Sequence, residues 1–132
     1  SGFMVIEAAS RGDEEVIFIE KKPAVYKILK ENLKVFDFNY NLYLTDSTKA
    51  IEKLSGFKFD IIFADPPYNS ELICKVIQKI YEYSILSNSG IIILEHPKNL
   101  EVEEIIKPYN FEIYKKKIYG DTTITIIKAC LN

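Results

Sequence analysis

Residues 59–68 read Phe59-Asp60-Ile61-Ile62-Phe63-Ala64-Asp65-Pro66-Pro67-Tyr68. A nearly all-apolar run stops at an aspartate, two prolines and a tyrosine. The run reads as a buried strand, and the prolines, which lack a backbone N–H, end it. Proline also restricts the residue before it, so Asp65 and Pro66 are held extended. An ionised aspartate only accepts hydrogen bonds, and the prolines present carbonyls alone. Tyr68 adds a flat ring. The tetrapeptide is thus a rigid set of acceptors beside a stacking surface. An exocyclic amine on an aromatic base matches it. Its two N–H bonds find acceptors, and stacking on Tyr68 contributes about 1–3 kcal/mol. Hydrogen bonds to both N–H groups stabilise the positive charge that develops when the nitrogen attacks an electrophilic methyl group. A plain Asp-Pro-Pro turn is the competing reading.

Outward from this strand, apolar runs alternate with helical patterns. Strands are expected at 15–20, 40–44, 59–64 and 91–95, with Asn88-Ser89-Gly90 ending the connection before the last. Helices are expected over about 23–35, in a short segment carrying Ala50, Ile51 and Leu54, over a segment opened by Ser70 and Glu71, and over about 101–107. Leu72, Ile73, Val76, Ile77 and Ile80 form the inner stripe of the third. Two final strands, 111–119 and 122–129, are joined by the hairpin-like turn Tyr119-Gly120-Asp121. Strand–helix alternation implies parallel strands with right-handed crossovers. The expected fold is α/β, an open sheet that is mostly parallel with an antiparallel C-terminal hairpin. Ligands of such sheets sit outside the carboxyl ends of the strands. Glu20, Asp46, Asp65 and Glu95 each stand at or just beyond the end of a different strand.

The 132 residues fit one domain, 1–132. A formal net charge of −2 argues against coating nucleic acid by bulk electrostatics. Any such contact is local, and Lys115-Lys116-Lys117 is the best candidate, since strand alternation puts at least two of them on one side. No apolar run approaches a membrane span and no signal peptide is evident, so a soluble protein is expected. Cys74 and Cys130 lack metal-ligand spacing and are expected to be buried, reduced thiols of a cytosolic protein. His96 has no Cys or His cluster nearby, and no metal site is expected.

The stretch FDIIFADPPY looks like motif IV of the S-adenosylmethionine-dependent amino-methyltransferases. The segment SGFMVIEAASRGDEEVIFIEKKPAVYKILKENL resembles the RsmD family, bacterial enzymes that methylate guanine N2 in small-subunit ribosomal RNA. Within it, Ser1-Gly2 resembles the end of a glycine-rich first motif, Glu7–Gly12 the family's E-A-x-S-R-G helix end, and Phe18-Ile19-Glu20-Lys21 the end of its second strand. YGDTTITIIK, from Tyr119, resembles its closing hairpin. The resemblance implies a Rossmann-like class I methyltransferase sheet, with S-adenosylmethionine as cofactor and rRNA as partner, free or in a small-subunit assembly particle. It implies a cytoplasmic monomer with no membrane contact.

Roles follow residue by residue from the resemblance. Glu20, beside Lys21, accepts from the ribose hydroxyls of the cofactor; a capping or salt-bridging acid is the plainer alternative. Asp46 and Ser47 lie near the adenine, with a helix N-cap as the alternative for Asp46. Gly2 lets the backbone approach the cofactor. Asp65 receives the target amine and borders the cofactor, Pro66 and Pro67 fix the loop, and Tyr68 stacks. Two departures stand out. Val5 occupies a position where the family commonly has glycine. The family also carries a strand upstream of the glycine-rich turn, normally central between strands 15–20 and 59–64; without it, two strand edges are expected to be exposed. Adenine-N6 DNA methylation, which also uses Asp-Pro-Pro-Tyr, and a truncated non-catalytic fragment are the alternative functions.

Overall fold

The computed structural model describes residues 14–19, 40–45, 51–64 and 70–130. Among these residues six strands form one sheet: β1 (Glu14–Ile19), β2 (Tyr40–Thr45), β3 (Phe59–Ala64), β4 (Leu86–Pro97), β5 (Phe111–Tyr119) and β6 (Thr122–Ala129), in the order β2-β1-β3-β4-β6-β5. β1 to β4 are mutually parallel, and β6 pairs antiparallel with both β4 and β5. The architecture is the expected α/β sheet with an antiparallel hairpin at one side. The expected helix over 23–35 lies outside the described residues.

The two edges expected to be exposed are instead closed on each other. Val16–Ile19 of β1 pairs in parallel with Ile61–Ala64 of β3. Unpaired backbone N–H and C=O groups in a buried strand are costly, and direct pairing satisfies them. Asp60 clips this junction to β4. Its Oδ2 accepts from the Glu15 backbone N–H at 2.9 Å and its Oδ1 from the Ser87 hydroxyl at 3.0 Å.

Helix α1 (Ser70–Glu82) packs its apolar stripe against one face of the sheet. Ile73, Val76, Ile77 and Ile80 are buried, as their helical spacing requires, whereas Leu72 at the stripe's margin is half-buried. They cluster with Ile19, Ile62, Ala64, Ile92 and Leu94 of the strands. The short helix α2 (Val102–Ile106) adds Val102 and Ile106 to the same cluster. It tightens into a 3-10 turn at Lys107–Tyr109 and ends at Asn110, whose left-handed φ of 60° suits asparagine. Residues of the opposite parity, such as Ile61, Phe63, Ile91 and Ile93, are buried as well. Burial of both parities explains why these strands read as continuous apolar runs.

Two boundaries differ from the sequence reading. Asn88-Ser89-Gly90 is not the end of a loop but lies inside β4, which starts at Leu86. Leu86 pairs with Phe59, and pairing resumes at Ile91 with Ile61, so the intervening residues bulge from the ladder. Gly90 is needed there, because a Cβ would stand 2.9 Å from the Phe59 carbonyl oxygen. At its other end β4 continues past Glu95 through His96 to Pro97, since β6 supplies Thr123 and Thr122 as partners. Cys74, expected to be buried, is exposed: it lies off the α1 stripe. Cys130 is intermediate.

Candidate active site at the carboxyl edge of the sheet

The strand order reverses between β1 and β3. From β1 the chain passes to β2 on one side; from β3 it passes to β4 on the other. Such a switch point opens a crevice at the carboxyl ends of the strands, where ligands of open α/β sheets bind. The ends that define it are in register: Ile19 lies opposite Thr45 on one side and Ala64 on the other, and Ala64 lies opposite Leu94. In the chain, Glu20 is the residue after β1, Asp46 the residue after β2 and Asp65 the residue after β3.

The expected site residues Gly2, Glu20, Lys21, Asp46, Ser47, Asp65, Pro66, Pro67 and Tyr68 themselves lie outside the described residues. Of the four acids at strand ends, only Glu95 is described. It sits within β4, half-buried, paired with Ile124, rather than at the strand's end.

Sequence reasoning missed the polar network that closes this edge. His96 is fully buried. Its Nδ1 stands 2.8 Å from the Pro97 carbonyl oxygen, and its Nε2 stands 2.7 Å from the Thr125 hydroxyl. A carbonyl can only accept, so Nδ1 carries the proton, and in the neutral ring Nε2 accepts from Thr125. Burial holds the His96 pKa below its ordinary value, and nearby Lys116 adds to this; the Pro97 carbonyl and Glu103 act the other way. Thr123, directly opposite His96 in the ladder, is also buried, and its hydroxyl makes no hydrogen bond. On the opposite face of the hairpin, the Tyr119 hydroxyl is likewise buried and unpartnered. A lone histidine after an apolar run was the only signal in the sequence; the threonines come from the hairpin's register, which no local pattern announces.

Among the described residues, no group of three or more His, Cys, Asp or Glu could hold a metal ion. No described helix is long and apolar enough to cross a membrane. Cys130 donates weakly to Glu112 at 3.6 Å. Burial and then the Glu112 carboxylate push its thiol pKa up, which disfavours the nucleophilic thiolate.

The hairpin arranges the lysine run as alternation requires. Lys115 and Lys117 pair with Ile126 and Ile124 and share a face. Lys116 pairs with Thr125 on the other face, where it reaches Glu103 of α2 at 3.6 Å. A register shift between Ile113 and Lys115 leaves Tyr114 as the extra residue of a bulge.

The sheet order, the switch point and the closing hairpin define a Rossmann-like class I methyltransferase fold. A solved ribosomal protein L11 methylase of Lactobacillus delbrueckii superposes with a TM-score of 0.71 at 17% identity, over 98% of this chain and 77% of that one. The family model described as "Conserved hypothetical protein 95" matches residues 1–128, and the chain belongs to this family, the RsmD family. "Putative rRNA methyltransferase YlbH" of Bacillus subtilis is 31% identical over 97% of this chain and 71% of its own length. "Ribosomal RNA small subunit methyltransferase D" of Buchnera aphidicola from Acyrthosiphon pisum is 32% identical, over 89% of this chain and 61% of its own length.

Proposed function

We propose that this chain is an S-adenosylmethionine-dependent methyltransferase that methylates the exocyclic N2 amine of a guanine in small-subunit ribosomal RNA. One observation carries the reading: the two strands that flank the switch point, β1 and β3, lead in the chain into Glu20 and Asp65. These are the acceptors that the motif chemistry assigns to cofactor ribose and target amine. The names of the rRNA methyltransferases similar to this chain support RNA as the substrate.

Under this reading S-adenosylmethionine, when bound, supplies an electrophilic sulfonium methyl. The chain's own residues do the rest. Glu20 accepts from ribose hydroxyls, with Lys21 adjacent; Asp46 and Ser47 border the adenine, and Gly2 leaves room for the backbone to approach. Asp65 and a proline carbonyl accept the two N–H bonds of the guanine amine, and Tyr68 stacks on the base. The amine nitrogen attacks, and its proton leaves more readily once the nitrogen is alkylated, so no strong base is needed first. Orientation is the main contribution. Nothing in this chemistry calls for a metal, and the reading is of a cytoplasmic, monomeric enzyme.

Transfer of a labelled methyl group to small-subunit rRNA tests it, with nuclease digestion of the product. N2-methylguanosine is the expected nucleoside, and Asp65→Ala lowers the rate by about 10²–10³-fold. Normal transfer by Asp65→Ala, or N6-methyladenine in DNA as the only product, overturns it.

A further inference from the structure

The described residues carry a second surface, away from the switch point, that the reaction does not use. It lies on β5, which pairs only with β6 among the described residues and so forms an edge of the sheet. Tyr114 sits on the bulge and is 61% exposed. Lys128 of β6 places its Nζ 5.3 Å from the centre of the Tyr114 ring, and the ring borders a cleft of about 210 Å³ shared with Asn88, Ser89 and Lys128. Lys115 and Lys117 share the face of Lys128, since all three alternate with the residues that face α1 and α2. Within the two-stranded ribbon Glu112 is the acid on that face, 3.4 Å from Lys128; Glu95 of the neighbouring β4 shares the face, opposite Ile124. Three lysines against one glutamate leave the ribbon face positive in a chain whose formal net charge is −2.

Lysines and a bulge on an edge strand also serve to prevent edge-to-edge pairing. That role accounts for the charges but not for the aromatic ring. An exposed tyrosine makes an edge more adhesive, and here the bulge turns it outward with a cation at its side. A stacking platform flanked by cations is what single-stranded nucleic acid needs: every base has a face to stack, and each lysine can meet a phosphate. We infer that the β5–β6 ribbon face holds single-stranded RNA flanking the modified base, with Tyr114 stacking on a base and Lys115 and Lys128 at phosphates. The inference rests on the reading of the chain as an RNA-modifying enzyme and adds to it a contact separate from the reacting amine.

The test is fluorescence anisotropy of the 132-residue protein with a labelled single-stranded RNA of about 12 nucleotides and mixed sequence, at several salt concentrations. Tyr114→Ala is expected to weaken binding by roughly 5- to 150-fold, while Tyr114→Phe keeps it. Lys115→Ala is expected to weaken binding of all sequences and to lower the salt slope by about 0.7. Tyr114 is exposed, so the variants keep the thermal midpoint of the parent. Absence of binding by the parent, or unchanged affinity of Tyr114→Ala, overturns the inference. So does a parent dimer in sedimentation equilibrium that Tyr114→Ala dissolves without affecting RNA, which would make the ribbon a contact between copies. Methyl transfer is scored separately: its absence alongside Tyr114-dependent binding rejects the enzymatic reading and leaves the ribbon contact standing.

Discussion

The Thr125 hydroxyl donates to Nε2 of His96 across 2.7 Å, joining the last turn of pairing in β4 to β6 through side chains as well as backbone. The ring's other nitrogen is held by the Pro97 carbonyl, so both nitrogens of the buried neutral ring have a partner.

Thr125→Val keeps the shape and removes the donor. Nε2 is then buried without a partner, which costs about 1–3 kcal/mol. Urea unfolding measures this directly. An unchanged midpoint would show that the bond contributes nothing.

The same ring sets a pH dependence. Its folded-state pKa lies below the ordinary value of 6.5, mainly because it is buried. The unfolded chain therefore takes up this proton at higher pH than the folded one, and stability falls as pH drops. The contribution is complete above about pH 6.5 and is lost as pH falls through the folded-state value. Urea midpoints for the parent should decline more steeply on acidification than those of His96→Gln. Parallel profiles would contradict the assignment.

Asp60 holds three strands together, with hydrogen bonds to β1 and β4 from its place in β3. Asp60→Ala removes both. Hydrogen bonds to charged groups contribute about 1.5–3 kcal/mol each, and the loss should fall first on β1. Hydrogen exchange is the measurement: amides of Val16–Ile19 should lose protection ahead of those in β6. Uniform loss across the sheet would show that Asp60 acts on global stability alone.

Glu20 tests the cofactor reading apart from the transfer step. Glu20→Gln replaces a charged acceptor for ribose hydroxyls by a neutral amide. Calorimetric titration with S-adenosylmethionine should show affinity reduced by roughly 10- to 150-fold. Equal affinity would remove Glu20 from the cofactor site.

Much of this fold is legible in the sequence because its signals are local. Phe59–Ala64, Phe111–Tyr119 and Thr122–Ala129 are strands with the expected bounds; the first and last are apolar or β-branched runs, and Asp-Pro or Gly-Asp punctuates all three. The α1 stripe follows from spacing alone. What local pattern could not show depends on partners distant in the chain. Asn88-Ser89-Gly90 has turn composition, yet the approach of Phe59 draws it into β4. Glu95 resembles a strand end until β6 arrives to extend the ladder. The direct β1–β3 junction and the His96–Thr125 bond both join residues far apart in the chain. The acids Glu20 and Asp65 could be selected in advance because their place after a strand is a matter of chain order.

Tyr114 has a further consequence for how β5 can change. Pairing passes from Ile113 opposite Ile127 to Lys115 opposite Ile126, so the ladder does not count Tyr114 at all. It is a spare residue in the strand. Deleting it would restore a regular ladder and leave each lysine on its present side. Its side chain can be exchanged with little effect on the sheet, because no backbone pairing depends on it. The hairpin therefore keeps its surface chemistry and its architecture on separate residues: selection can alter what the ribbon recognises without renegotiating how the ribbon folds.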